Sequence, residues 1–420
     1  MPLEELTPFR YRQPRLSDTE YVEKYALGGY HPVDLGDTIC NGERAYEVIH
    51  KLGHGGFSTV WLVRSCAPSP SYFAMKILCA EAVDIADSEL SVLRHLRTVA
   101  GPGHPNVVVL YDSFTISGPN GEHCCLTFPV LGPSLQTIKV STALSGAMRH
   151  QVCQQVASAM AFLHHHGVCH GDLTVSNIVF ELPDSQSMSP ARVSQLLGPI
   201  QTENLRLTNG LCSPHAPKQV IQTPDLSGLD YSLLTQIRII DFGQAFFTDR
   251  PPPSLGVPID FFPPELCFGY LPSTKSDIWH LACILFQIQT KGFLFPTVLR
   301  IFEILIGTIV SYLGPIPQHW KGKFNFDEYG YCEPEQVQET TEPEWWFENK
   351  HSEKTISSRV AQEAVHLSTC QREEYVRLLH DMVAYEPEKR LSAVEVIRRL
   401  RSASFLDEDS SESVNGRHGR

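Results

Sequence analysis

The chain has 420 residues, 42% of them apolar and 19% charged, which exceeds one ordinary domain and allows a sizeable core in two or three lobes. Its 47 acidic against 34 basic residues leave a formal charge of -13, which argues against nucleic-acid phosphate as a direct partner and permits a cationic one, although most of such a surface serves solubility. The 12 cysteines form no C-x-x-C pair and no Cys/His cluster at zinc spacing, so reduced, mostly buried thiols are expected.

The start, Met-Pro-Leu-Glu-Glu, lacks the basic and apolar regions of a secretory signal, which points to the cytoplasm, the nucleus or both. Residues 1–40 have no clear periodicity and read as an extension lying on or trailing from the first lobe. From Tyr46, Tyr-Glu-Val-Ile-His-Lys-Leu, Thr-Val-Trp-Leu-Val and Tyr-Phe-Ala-Met-Lys-Ile-Leu read as successive strands separated by Gly or Pro/Ser breaks. The first two are joined by Gly53-His54-Gly55-Gly56-Phe57-Ser58-Thr59-Val60. Glycines between paired strands let backbone N–H groups close over phosphates, but alone such a hairpin is more often a plain turn. Lys76 sits mid-strand, and a helix over 85–96 carries Glu89 among leucines; a buried lysine needs a partner, and Glu89 is the natural one. The other reading of Lys76 is a solvated edge residue. Two further strands are expected at 106–114 and 123–130, and Leu131-Gly132-Pro133 closes the β-rich lobe.

A buried helix over 149–163 delivers the chain to His170-Gly-Asp-Leu-Thr-Val-Ser-Asn177. That loop puts a carboxylate five residues before a carboxamide, the spacing with which a phosphoryl-transfer site sets a base for a hydroxyl and a ligand for magnesium. Alone it is ambiguous, because an isolated loop Asp is more often a turn former or a helix cap. A Ser-, Pro-, Asn- and Gly-rich stretch follows, read over 183–232 as a largely disordered insertion whose one candidate element is a short helix at 191–197. Ile237-Arg-Ile-Ile-Asp241-Phe-Gly243 resumes the fold as a strand ending in an acidic turn. Asp277-Ile-Trp-His-Leu lies in a helix too apolar for a surface, and the apolar tract 292–317, broken by Pro296, Arg300 and Glu303, reads as buried helix and not a membrane span. The stretch 327–348 is acidic without Lys or Arg, a solvated loop or a docking site. Helices over 372–383 and up to Leu400 end the fold, and 403–420 reads as an acidic disordered tail.

In this order and these contexts, Lys76, Glu89, Asp172, Asn177 and Asp241 resemble a eukaryotic protein kinase over about Tyr46 to Leu400. Tyr30-His-Pro-Val, the Phe57-Ser-Thr-Val-Trp-Leu62 strand, the Leu131-Gly hinge, the insertion before Asp-Phe-Gly and Leu313-Gly-Pro-Ile-Pro317 resemble the SR-protein kinase group, in a divergent, fungal style. The resemblance implies an α+β, bilobal fold: a small β-rich N-lobe over 41–130 and a larger helical C-lobe over 131–402, with the insertion between catalytic loop and Asp-Phe-Gly. It implies a monomeric serine/threonine kinase using ATP and magnesium on protein substrates, Arg/Ser-rich ones among them. Asp172 would be the base, Lys76 and Glu89 the phosphate-binding pair, and Asn177 and Asp241 the metal ligands. The nucleotide would lie against Leu52, Gly53, His54, Gly55, Gly56, Phe57, Ser58, Val60, Ala74, Lys76, Phe128, Pro129 and Leu131, with Pro129 offering a carbonyl and Leu131 an N–H. Glu265 with Arg390 would brace the helical lobe, and Asp277 would anchor the catalytic loop.

Four departures stand out: Gly171 in place of an Arg, Thr174 in place of a Lys, Phe262 in place of an Arg, and only Glu303 left of an acidic docking helix. Thr174 keeps open a pseudokinase that acts as a scaffold, although no magnesium ligand or base is missing. A small-molecule phosphotransferase fits His-Gly-Asp but not the Asp-Ile-Trp helix or the Gly-Pro-Ile-Pro stop.

Overall fold

The computed structural model describes residues 9–99, 101, 103–138, 144–182, 185, 187–226, 229–230, 234–290, 292–331, 341–348 and 355–402. By internal contacts the chain divides into two units, residues 1–139 with 170–247, and residues 140–169 with 248–420. The first is β-rich and the second helical, the two kinds of lobe that the resemblance implies.

In the β-rich unit, alternating burial along the sequence makes strands. Tyr46, Val48 and His50 are buried along β2 (Ala45–His54), alternating with half-exposed Ala45, Glu47 and Ile49. This strand lies in a six-stranded antiparallel sheet with β1 (Thr38–Cys40), β3 (Ser58–Ser65), β4 (Tyr72–Leu78), β5 (Asp112–Gly118) and β6 (Gly121–Phe128), in the order β1-β2-β3-β4-β6-β5. Trp61, Val63, Met75, Ile77 and Cys125 meet beneath it in one apolar cluster. The 106–114 strand starts only at Asp112, because Val107 instead forms a parallel bridge to Ile239 and is buried there. Helix α1 (Val83–Val99) buries Glu89 with Val92, Leu93 and Leu96. A second sheet pairs β7 (Leu131–Ser134) with β8 (Ile178–Glu181) and β8 with β11 (Ile237–Ile239), so the strands on either side of the insertion are neighbours.

The insertion departs from its expected disorder. Its described residues hold a helix, Pro190–Leu197, capped by Ser189, and an antiparallel pair, β9 (Thr202–Asn204) with β10 (Gln219–Ile221). Ile221 enters the sheet's apolar cluster, Val220 is buried, Leu207 bridges Tyr11, and the Arg12 N–H donates to the Arg206 carbonyl at 2.9 Å. A few apolar residues suffice because the N-terminal extension supplies the other face. That extension lies on the unit from Phe9 onward, with Tyr11, Val22, Tyr25, Tyr30 and Val33 buried.

In the helical unit, α2 (Gly146–His165) packs on α3 (Thr274–Gln289) and α6 (Ala393–Leu400). Between them come α4 (Phe302–Leu313) and α5 (Thr369–Met382). Nearly every residue of α3 from Ser276 to Phe286 is buried, as its composition requires. Glu265 and Arg390 form a fully buried bidentate pair at 2.8 and 2.6 Å, with the guanidinium over the Trp279 ring at 4.9 Å. Asp277 is buried and accepts from His164 Nε2 at 3.0 Å, with His280 Nδ1 at 3.7 Å; burial works to raise its carboxyl, but the two histidines outweigh it and hold the carboxyl well below the usual range. Phe262 is buried in an aromatic group with Phe302 and Tyr329, at 4.8 and 5.5 Å between ring centres, so an apolar contact stands where a cation would. Of the acidic stretch, 332–340 lies outside the described residues. Glu342 accepts the Gly322 and Phe324 N–H groups at 2.6 and 2.7 Å, and Glu303 accepts that of Tyr331 at 2.6 Å. The expected tail likewise lies outside the description. All described cysteines are free, six of them buried, and no described helix is long and apolar enough to cross a membrane.

Candidate active site

Every member of the expected site is in the β-rich unit. Lys76 is the mid-strand residue of β4 opposite Val60 of β3 and Leu126 of β6, so its side chain leaves a fully paired backbone and cannot drift with a strand edge. Its ammonium donates to Glu89 Oε2 at 2.7 Å and Oε1 at 3.0 Å, and to Asp241 Oδ1 at 2.8 Å. Burial works to lower the Lys76 pKa, but the Glu89 and Asp241 carboxylates outweigh it and hold the pKa above the ordinary lysine value. Burial raises the Glu89 carboxyl in spite of Lys76, whereas at Asp241 the ammonium and the Gly243 N–H overcome desolvation and hold the carboxyl low. The pair therefore presents a fixed cation beside an ionised, half-exposed Asp241. Asp241 takes a left-handed backbone, φ 64°, a conformation that costs a non-glycine residue about 1 kcal/mol or more and is found at functional turns.

The catalytic-loop candidates are tied to one another and to that turn. His170, with no exposed surface, has Nε2 3.1 Å from the Ile240 carbonyl and Nδ1 accepting the Asp172 N–H at 3.3 Å, which sets its tautomer. Asn177 Nδ2 donates to the Asp172 carbonyl at 2.8 Å and to Asp172 Oδ2 at 3.1 Å, so the base candidate is held by the residue five positions on. With its nitrogen so placed, Asn177 has Oδ1 to offer a cation. Gly171 has a steric reason: at φ 75° a Cβ there would stand 2.2 Å from the Gln244 carbonyl oxygen, so the arginine expected at this position does not fit this turn.

A cavity of about 510 Å³ runs along these residues. Leu52, Gly53, His54, Gly55, Ser58, Val60, Ala74, Lys76, Phe128, Pro129 and Leu131 line it as expected, and so do Glu89, Asn177 and Asp241. Gly56 and Phe57 do not line it; the Phe57 ring lies 5.0 Å from the Lys24 ammonium instead. Asp172 is also not part of the wall. Asp18 of the extension and Thr223, Pro224 and Leu226 of the insertion line the same cavity, which was not expected of them. No local pattern signals this, since their position depends on how both segments pack on the sheet.

The loop glycines are informative for what they do not touch. Gly53, Gly55 and Gly56 are outside the left-handed region, and a Cβ on any of them would meet nothing within 4 Å. Nothing inside the protein demands glycine there; a ligand approaching the backbone would. An anionic ligand between that loop and Lys76, with a divalent cation on Asp241 and Asn177, fits the residues present.

Residues 46–192 match the protein kinase domain model. The chain is 27% identical over 401 residues to a serine/threonine-protein kinase SRPK of Physarum polycephalum, covering 90% of this chain and 89% of that one. It is 36% identical over 178 residues to the serine/threonine-protein kinase spk-1 of Caenorhabditis elegans, covering 40% of this chain but only 17% of that longer protein. It is 30% identical over 222 residues to human SRSF protein kinase 3, covering 50% of this chain and 37% of the relative. With the geometry above, these matches make the chain a protein kinase, a class that works with ATP and a divalent metal. Within that class its likeness is to serine/threonine kinases of the SR-protein-kinase type.

Proposed function

We propose that the protein transfers the γ-phosphoryl group of ATP, with magnesium, to serine in Arg/Ser-rich protein segments. The observation that carries the catalytic part is the three-way contact of Lys76 with Glu89 and Asp241 on the wall of a cavity bounded by loop glycines that the fold itself does not require. Lys76 neutralises and orients phosphate oxygens, and Glu89 keeps the ammonium aimed. Asp241 and Asn177 hold the metal, which when bound supplies charge neutralisation between the phosphates. Asp172, positioned by Asn177 and by the His170 ring, accepts the proton of the substrate hydroxyl. Gly53, Gly55 and Gly56 let the backbone approach the phosphates without a side chain between.

Thr174, buried at 5% exposure, brings no cation to the γ-phosphate, so more of the charge stabilisation falls on Lys76 and the metal. The net charge of -13 and the named activities of the relatives support a basic substrate. Glu303 and Glu342 are engaged by backbone N–H groups, so the carboxylates offered to arginine are better sought at the exposed Asp327 and Glu328. A positional peptide library tests this reading. Enrichment of Arg beside the acceptor Ser, declining with salt and weakened in Asp327→Asn/Glu328→Gln, supports it; preference for acidic or proline-directed peptides rejects the substrate assignment.

A further inference from the structure

The glycine-rich loop is held from outside by the N-terminal extension. Tyr30 Oη donates to the Gly55 carbonyl at 2.6 Å, and the Lys24 ammonium donates to the Gly56 carbonyl while lying 5.0 Å from the centre of the Phe57 ring. Tyr30 is buried, its ring packed edge-on against Tyr25 at 5.6 Å, and burial pushes its phenol up to about 12, so it remains a donor at neutral pH. Tyr25 in turn donates to Glu20 at 2.5 Å, and Glu20 accepts from the fully buried Lys51 in the strand that leads into the loop. Asp18, at φ 51°, places Oδ1 3.3 Å from His54 Nε2 and accepts the Thr223 N–H on its carbonyl at 3.1 Å.

These contacts have a stereochemical consequence. In a trans peptide the N–H of the following residue points opposite to the carbonyl, and no cis peptide occurs among the described residues. A Gly55 carbonyl held on the side of the extension therefore directs the Gly56 N–H the other way, and a Gly56 carbonyl held by Lys24 does the same for the Phe57 N–H. Left to itself a loop of this composition would rotate those planes freely, and an inward carbonyl would repel an anion.

We propose that residues 18–30 form a fixed brace for the glycine-rich loop, in which Tyr30 and Lys24 are positioning residues that keep the Gly56 and Phe57 amides, at the loop tip beyond the cavity wall, turned away from the extension and free to close on the phosphates of the nucleotide. This rests on the reading of the cavity as the nucleotide site. The brace acts on phosphate recognition and leaves the adenine wall, Val60, Ala74 and Phe128, untouched. Phosphate-bearing and phosphate-free ligands therefore separate its effect from general loosening of the fold.

The test is calorimetric binding of Mg-ATP and of adenosine to the whole chain as wild type, Tyr30→Phe, Lys24→Met and Lys24→Arg, with steady-state kinetics alongside. Each of Tyr30→Phe and Lys24→Met is expected to weaken Mg-ATP about 5- to 10-fold, as befits one lost hydrogen bond, and to raise KM for ATP more than it changes kcat. Adenosine affinity should stay within about twofold, and Lys24→Arg, which keeps a donor, should recover most of the loss. Equal losses for ATP and adenosine, or unchanged ATP affinity in both variants, would overturn the brace while leaving the nucleotide site standing. A wild-type protein that binds neither ligand would overturn both.

Discussion

Two glycine-bearing turns of this molecule look alike in sequence and differ in what requires the glycine. Gly171 sits at φ 75° with a carbonyl oxygen 2.2 Å from where its Cβ would be, so the folded protein itself demands it. Gly53, Gly55 and Gly56 lie outside the left-handed region and face open space, so nothing in the folded chain demands glycine there. The first glycine belongs to stability; the others, in the proposed function, belong to binding. A residue type common to a kinase's two loops thus carries two separate arguments, and variants can pull them apart.

The largest effects are expected where neither turn is altered but the charges between them are. Asp172→Asn and Asp241→Asn should each lower phosphoryl transfer by about 10²- to 10⁴-fold with the melting temperature nearly unchanged, because each keeps the side chain's shape. Lys76→Met should lower activity as far and also cost stability, since it strands the buried Glu89 carboxyl. Wild-type rates in the two aspartate variants would refute the catalytic assignment.

Gly171→Ala comes next, expected to cost about 2–4 kcal/mol in denaturant unfolding through the left-handed backbone and the Gln244 clash. Gly55→Ala should shift stability by no more than about 0.5 kcal/mol while raising KM for ATP several-fold. Similar unfolding penalties for the two would dissolve the contrast.

A pH effect should follow at the Tyr30-His31-Pro-Val segment. Burial first, and the neighbouring His123 ring second, lower the His31 pKa to about 4 from 6.5. The unfolded chain then binds more protons in that window, so stability is complete above pH 6.5 and falls as pH drops towards 4, by about 1–2 kcal/mol after allowance for partial exposure. In His31→Asn the acid loss of melting temperature should be smaller; an identical profile would remove His31 from the account. Smallest of all should be the effect of phosphatase treatment on the rate. The Gly171 turn lacks the cation that would read a phosphorylated activation segment, and a large loss restored by another kinase would contradict this.

Much of the candidate site was legible because its chemistry is local. His170 to Asn177 is one loop, Lys76 one strand position, and Asp241 the end of one short strand, so motif and spacing suffice. The insertion was not. Its composition suggests disorder, yet Ile221 and Leu207 find partners in the N-terminal extension and the sheet, contacts that no local periodicity encodes. For the same reason Thr223 and Asp18 in the cavity wall, and the carbonyl that forbids a side chain at 171, escaped the sequence reading. Phe262 reads as a lost cation in sequence, and only the structure shows the aromatic contacts that occupy its place.

The central claim is that Lys76, Asp172, Asn177 and Asp241 form one competent phosphoryl-transfer site. Its most direct test is transfer of radiolabelled γ-phosphate from ATP to an Arg/Ser peptide by the purified full chain, with and without magnesium, for wild type and Asp241→Asn. Metal-dependent labelling of serine by the wild type, reduced at least about 100-fold in Asp241→Asn, is the predicted result. Tight ATP binding with no labelling of any protein or peptide, or labelling that survives Asp241→Asn, would contradict it.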